Sequence, residues 1–191
     1  MFHCLRLPQL LTCALFGLLA GGAQAATPSP APDTLQPLLS TISERLDLAD
    51  LVALTKWDSG KPIQDTTREA QVIANARKQA AERKLDPDEA ADLVAAQIEA
   101  NKLVQYGLLA QWQAARKAPD MPRPDLNQIR PKLDELQNRL LQQYADFQPY
   151  RVDPECPVWL AQQRSSLIRD ALHGQALIRA TGELCITDQE G

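Results

Sequence analysis

The sequence predicts an all-α fold, a single-domain helical bundle of about five to six helices. Three observations predict it. Apolar residues recur at three- and four-residue steps along most of the chain. Glycine is scarce, 8 in 191 residues, while alanine, leucine, glutamine and arginine dominate. No stretch alternates apolar and polar residues as a half-buried strand would.

Residues 1–25 carry one basic residue, Arg6, then an apolar run from Leu10 to Ala20 that ends in Ala23-Gln24-Ala25. This order is that of a cleaved export signal. The run is shorter than the roughly 20 residues a membrane span needs, so no membrane anchor is expected after cleavage. Residues 26–33, "ATPSPAPD", read as a disordered proline-rich leader. The domain is expected over 34–191, with N-terminal helices over 34–118, a connector at 117–125 and a C-terminal helical half over 126–191.

The formal charge of −4 becomes more negative once Arg6 is removed. Bulk attraction for nucleic acid or acidic membranes is therefore excluded, and an anionic partner has to be held by a local cluster of cations. Cys4 and Cys13 leave with the signal. Cys156 and Cys185 remain, and in an oxidising compartment two cysteines most simply form one bridge. His173 is the only histidine left, so a structural role is favoured over a metal site.

The first helix is expected from Thr34 to Trp57, with Leu35, Leu38, Leu39, Ile42, Leu46, Ala49 and Ala53 as its seam. "SGKP" stops it. The second is expected from Thr66 to Lys84, opened by a capping box of Thr66 and Glu69. The third runs from Pro87 to Arg116, with Asp86 as its cap. "KAPDMPRPD" connects it to a fourth helix bearing Leu126, Ile129, Leu133, Leu136, Leu140, Tyr144 and Phe147. A fifth is expected within 158–181, with Trp159, Leu167, Ile168, Ala171 and Leu172 in its core.

Function has to come from polar residues on apolar faces. Arg45 and Lys56 are eleven residues apart, so they differ by only ~20° in direction and about 16.5 Å in height. Each edges the first seam, where a snorkelling stem is the alternative. The third seam reads Val94, Ile98, Asn101, Gln105, Leu108, Trp112, and two of these are amides. Such amides either set packing register or need polar partners. Arg68 lies one turn before Val72 on the second helix. Packing these helices together would gather Arg45, Lys56, Arg68, Asn101 and Gln105 into one pocket without metal ligands or an activated nucleophile. Arginines grip carboxylates in pairs, and a lysine or amide can stabilise an oxygen that gains charge. The pocket therefore suits a small dianion.

"ERLDLADLVALTKW", "KPIQDTTRE" and "AQIEANKLVQ" resemble the all-helical chorismate mutases, in particular the secreted gamma-type subclass. The likeness covers about residues 35–145. It implies conversion of chorismate to prephenate, an intramolecular Claisen rearrangement without cofactor, on an exported branch of phenylalanine and tyrosine biosynthesis. It implies a periplasmic or secreted homodimer whose pocket is supplied by one chain. By the same likeness Arg45 would bind a carboxylate, Lys56 a carboxylate and the ether oxygen, and Arg68 would line the pocket. Asp65 would position substrate through its backbone, Glu69 would contact the ring hydroxyl, and Asn101 the ring carboxylate. Gln105 would donate to the ether oxygen. Arg139 in "LQNRLL" resembles an arginine that the C-terminal half adds. An isochorismate pyruvate lyase and a non-catalytic helical binding module are the alternatives, because fold alone does not separate them.

Overall fold

The computed structural model describes residues 29–123 and 125–187. The expected export signal lies outside these residues. The elements are α1 (Leu35–Ser59), α2 (Thr66–Glu82), α3 (Pro87–Ala115), α4 (Leu126–Phe147), α5 (Cys156–Ser165) and α6 (Ala171–Ala180), with a 3₁₀ turn at Gln148–Tyr150 after α4. Among the described residues there is no strand, and no helix is long and apolar enough to cross a membrane.

The helix ends follow local chemistry. Gly60 ends α1 in the left-handed region, at φ 65°, where a Cβ would be strained. Asp86 caps α3 by accepting from the Asp88 and Glu89 amides, and Pro87 occupies the first helical position. The α2 cap differs from the expectation. Asp65 caps the helix, accepting from Arg68 N, and Glu69 reaches back to Asp65 N. Thr66 is itself the first helical residue. The Asp65 carboxylate is the stronger acceptor for the free amide, so the cap moves one residue upstream.

α3 is the central helix, packing on α1, α2 and α6, while α1 also packs on α4. The main core joins Leu35, Leu38, Leu39 and Ile42 of α1 to Leu93 and Val94 of α3 and to Leu140, Leu141, Tyr144 and Phe147 of α4. Each such side chain contributes about 1.5–3 kcal/mol on burial. Trp57 and Trp112 meet edge to face at 6.0 Å and hold the far ends of α1 and α3 together. The proline-rich connector wraps around Arg123, which binds Asp58 and the carbonyls of Pro119 and Met121. Residues 29–33 lie within the segment expected to be a disordered leader. Here the Ser29 carbonyl accepts from the Trp159 indole at 2.7 Å, and Ala31 packs on the core.

The single helix expected within 158–181 is two helices. The Ser165 and Ser166 hydroxyls bond back to the Gln162 and Gln163 carbonyls as α5 ends. Asp170 then caps a new helix by accepting from the His173 amide. Ile168 and Ala171, expected in the core, are exposed; Leu160, Ala176, Leu177 and Ala180 take that place. His173 is buried, with Nδ1 2.8 Å from Asp170 and Nε2 3.0 Å from Asp50 of α1. Arg169 also reaches Asp50. The histidine thus fastens α6 to α1.

Cys156 and Cys185 form the disulfide, with Cα atoms 5.8 Å apart, and it encloses α5 and α6 in one loop. Arg151 reinforces the closure. Its guanidinium binds the Leu184 and Glu183 carbonyls and the Glu89 carboxylate, and lies over the Tyr144 ring at 4.9 Å. With the cysteines 29 positions apart in sequence, chain entropy assigns the bridge about 3.5 kcal/mol. Reduction, or Cys156→Ser with Cys185→Ser, is expected to lower the melting temperature by roughly 10 °C. Calorimetry with and without reductant checks this, and an unchanged transition would refute it.

Candidate active site

A cavity of about 160 Å³ opens between α1, α2, α3 and α4. α1 contributes Arg45, Val52 and Lys56, and the following loop gives Ile63 and Asp65. α2 contributes Arg68, Glu69 and Val72; α3 contributes Gln97, Ile98, Asn101, Lys102 and Gln105. α4 supplies Leu126, Ile129, Arg130, Leu133, Asp134 and Gln137. Every site residue expected on the first three helices therefore lines one cavity.

Arg45 is 7% exposed. One of its terminal nitrogens donates to the Leu133 carbonyl at 2.9 Å, while its buried Nε has no partner among the described residues. Burial pushes the guanidinium pKa down to about 10, against the opposing pull of Asp134. Lys56 donates to the carbonyls of Pro62 and Ile63, which ties the end of α1 to the loop before α2. Partial burial lowers its pKa, Asp65 pulls it up and Arg130 presses it down. Lys56 is thus a half-buried cation among other cations, and neither it nor Arg45 is a fully solvated snorkelling charge.

The two seam amides form a short ladder. Asn101 Nδ2 donates to the Arg45 carbonyl at 3.1 Å, and Gln105 Nε2 donates to Asn101 Oδ1 at 2.7 Å. Register and site are therefore served by the same pair, because the ladder fixes α3 against the Arg45 backbone. Gln105 is 5% exposed, and its Oε1 is buried without a partner among the described residues. Deeper in, Gln97 Nε2 donates to the Ala180 carbonyl at the end of α6, and Gln97 Oε1 is likewise unpartnered.

α2 brings charge to the mouth. Arg68 bonds Asp134 of α4 at 3.0 Å. Both Glu69 oxygens are engaged: Oε1 by the Asp65 amide at 2.9 Å, Oε2 by Lys102 at 3.2 Å. Lys102 also pairs with Glu99.

Arg139 does not join this group. It is exposed, bonds Glu44 at 2.6 Å and does not line the cavity. It follows Gln137 by two residues, about 200° around α4, and so points away from the face that Gln137 presents. The cation that α4 brings to the cavity is Arg130, which has no ion-pair partner among the described residues. A signal for it existed. Arg130 stands four residues after Leu126 and three before Leu133, on the seam edge, the same relation that marked Arg45.

Five cations (Arg45, Lys56, Arg68, Lys102 and Arg130), four side-chain amides and an apolar floor thus surround a small space. Such a site can hold two carboxylates and place hydrogen-bond donors at a third point between them.

A family model described as chorismate mutase type II matches residues 36–106. A secreted chorismate mutase of Mycolicibacterium smegmatis is 32% identical over 181 residues, covering 93% of this chain and 99% of that protein. One of Mycobacterium tuberculosis is 32% identical over 156 residues, covering 79% and 78%. The crystal structure of a chorismate mutase from Burkholderia phymatum superposes with a TM-score of 0.79 at 41% identity, over 81% of this chain and 98% of that one. With identity of this order over nearly the whole length, and the fold shared, the chain belongs to the chorismate mutase type II family.

Proposed function

We propose that this protein rearranges chorismate to prephenate in the α1–α4 cavity, on an exported branch of phenylalanine and tyrosine biosynthesis. The observation that carries the reading is the convergence of Arg45, Lys56, Arg68 and Arg130 with Asn101 and Gln105 on one small cavity. Chorismate is a dianion, and the reaction is internal to it. The ether C–O bond breaks as a C–C bond forms, and no atom is gained or lost. The protein has only to fold the enolpyruvyl arm over the ring and to stabilise the negative charge that grows on the ether oxygen. The secreted relatives and the disulfide support a periplasmic or secreted location.

In this reading Arg45 and Arg130 bind carboxylate, Arg68 binds at the mouth, and Lys56 donates to a carboxylate and the ether oxygen. Gln105 gives one N–H to Asn101 and has a second for the ether oxygen. Asn101 meets the ring carboxylate. Asp65 and Glu69 hold the start of α2, and with it Arg68, through the cap. Arg130 takes the part that sequence likeness suggests for Arg139. A homodimer is expected, with each chain lining its own cavity.

The test is to incubate residues 26–191 with chorismate, follow its absorbance loss, and then acidify and assay phenylpyruvate formed from prephenate. Lys56→Ala is expected to lower kcat by about 10²–10³ with helicity intact. Absence of turnover, or pyruvate release from isochorismate instead, would overturn the reading.

The buried arginine separates stability from function. Arg45→Met removes a desolvated charge and keeps the volume. It is expected to raise the melting temperature by several degrees, about 1–3 kcal/mol, while turnover is lost. A less stable variant that retains its rate would contradict both roles.

The pH profile follows from the donors. Gln105 is a neutral amide and donates at any ordinary pH, so the rate is expected to stay level between mildly acidic and neutral conditions. Lys56 must be protonated, and its pKa lies below the ordinary 10.5. The rate is therefore expected to fall on the alkaline side, below the ordinary lysine range. Gln105→Glu donates only when protonated, and a pH–rate series should show its optimum displaced toward acid.

A further inference from the structure

A carboxylate is out of place in a cavity built for a dianion, yet Asp134 lines it. Its Oδ1 accepts from Arg68 at 3.0 Å, across the mouth from α2 to α4. The residue before it, Leu133, gives its carbonyl to Arg45. Two adjacent residues of α4 therefore hold both arginines by oxygen atoms. Asn138 does donate to Asp134, but to its backbone carbonyl, and the carboxylate itself has no partner other than Arg68 among the described residues. The two side chains are 34% and 59% exposed, so the pair can open without a buried charge being stranded.

We propose that Asp134 is a resident counter-anion for Arg68, displaced when a substrate carboxylate arrives, and that it sets KM rather than kcat. This rests on the chorismate reading above. While the site is empty the carboxylate holds the guanidinium in place at the mouth, and it also raises the proton affinity of the buried Arg45. Substrate has to exchange one carboxylate for another at Arg68, so part of its binding energy is offset. A carboxylate built only to clamp α2 to α4 would act in the opposite direction, because its removal would loosen the site.

The experiment compares wild type, Asp134→Asn and Asp134→Glu for chorismate turnover and, by calorimetry, for binding of prephenate, itself a dicarboxylate. Asp134→Asn is expected to lower KM and the prephenate Kd about two- to five-fold, the range of an exposed ion pair, with kcat within a factor of two. The advantage should shrink toward one in 1 M salt, where the screening length is about 3 Å. Asp134→Glu keeps the charge and should stay near wild type. A KM that is unchanged or raised in Asp134→Asn, or an advantage that survives salt, would overturn the inference while leaving the mutase reading intact. A wild-type protein that neither turns over chorismate nor binds prephenate would overturn both.

Discussion

The buried Arg45 guanidinium is the constraint around which this bundle is arranged. A charge taken out of water costs several kcal/mol unless the fold supplies partners. Here α4 supplies the Leu133 carbonyl to the guanidinium, while Asn101 of α3 holds the Arg45 backbone carbonyl and so fixes the residue's position, not its charge. Those contacts fix three helices relative to one another around a polar point. They still leave the guanidinium Nε unsatisfied among the described residues. The upstream half of α1 offsets this demand. Leu35, Leu38, Leu39 and Ile42 are all fully buried and anchor the helix that carries Arg45 and Lys56 further along.

The C-terminal third stiffens what lies behind the site. α6 approaches α3 so closely that a Cβ on Gly107 would sit 2.6 Å from Leu172. Gln97 reaches from the cavity wall to the last carbonyl of α6, and His173 binds the same face of α6 to Asp50 of α1. The disulfide and the Arg151 contacts then close the α5–α6 loop. α1 and α3, which carry Arg45, Lys56, Asn101 and Gln105 of the cavity, are thereby held from outside as well as by their own seam. Donors fixed on rigid helices need little reorganisation as charge develops on substrate.

Most of the first four helices was legible in the sequence because two signals agreed there. The 3.6-residue seam located each helix, and Gly60, Asp86-Pro87 and the proline-rich connector located its ends. The break between α5 and α6 was not legible. Leu167, Ile168, Ala171 and Leu172 continue an apolar pattern through it, and the stop depends on serine back-bonding and an aspartate cap that also occur inside loops. The α2 cap was one residue off because Asp65 and Thr66 are both good caps, and the Asp65 carboxylate, the stronger acceptor, takes the free amide. Six expected site residues on α1 to α3, together with Asp65, meet at the cavity. For α4 the motif drew attention to Arg139, whereas the helical position favours Arg130. Helix phase was the better guide there, since it registers which side of α4 faces α1 and α2.

The charge pattern of the mouth has a single physical logic. Glu69 spends one oxygen on the Asp65 amide and the other on Lys102, and Asp134 is paired with Arg68. The acids around the cavity are thus committed to the helix cap or to neighbouring cations. The buried, partly satisfied Arg45 inside, and the exposed Arg130 at the rim, which has no ion-pair partner among the described residues, are left as the positive charge a ligand meets. Because exposed ion pairs are weak, the Arg68–Asp134 pair at the mouth, with side chains 34% and 59% exposed, costs little to open. Net charge conceals this arrangement. A chain of −4 overall gathers Arg45, Lys56, Arg68, Lys102 and Arg130 around one cavity, so a local cluster, not bulk charge, is what a small anion would meet there.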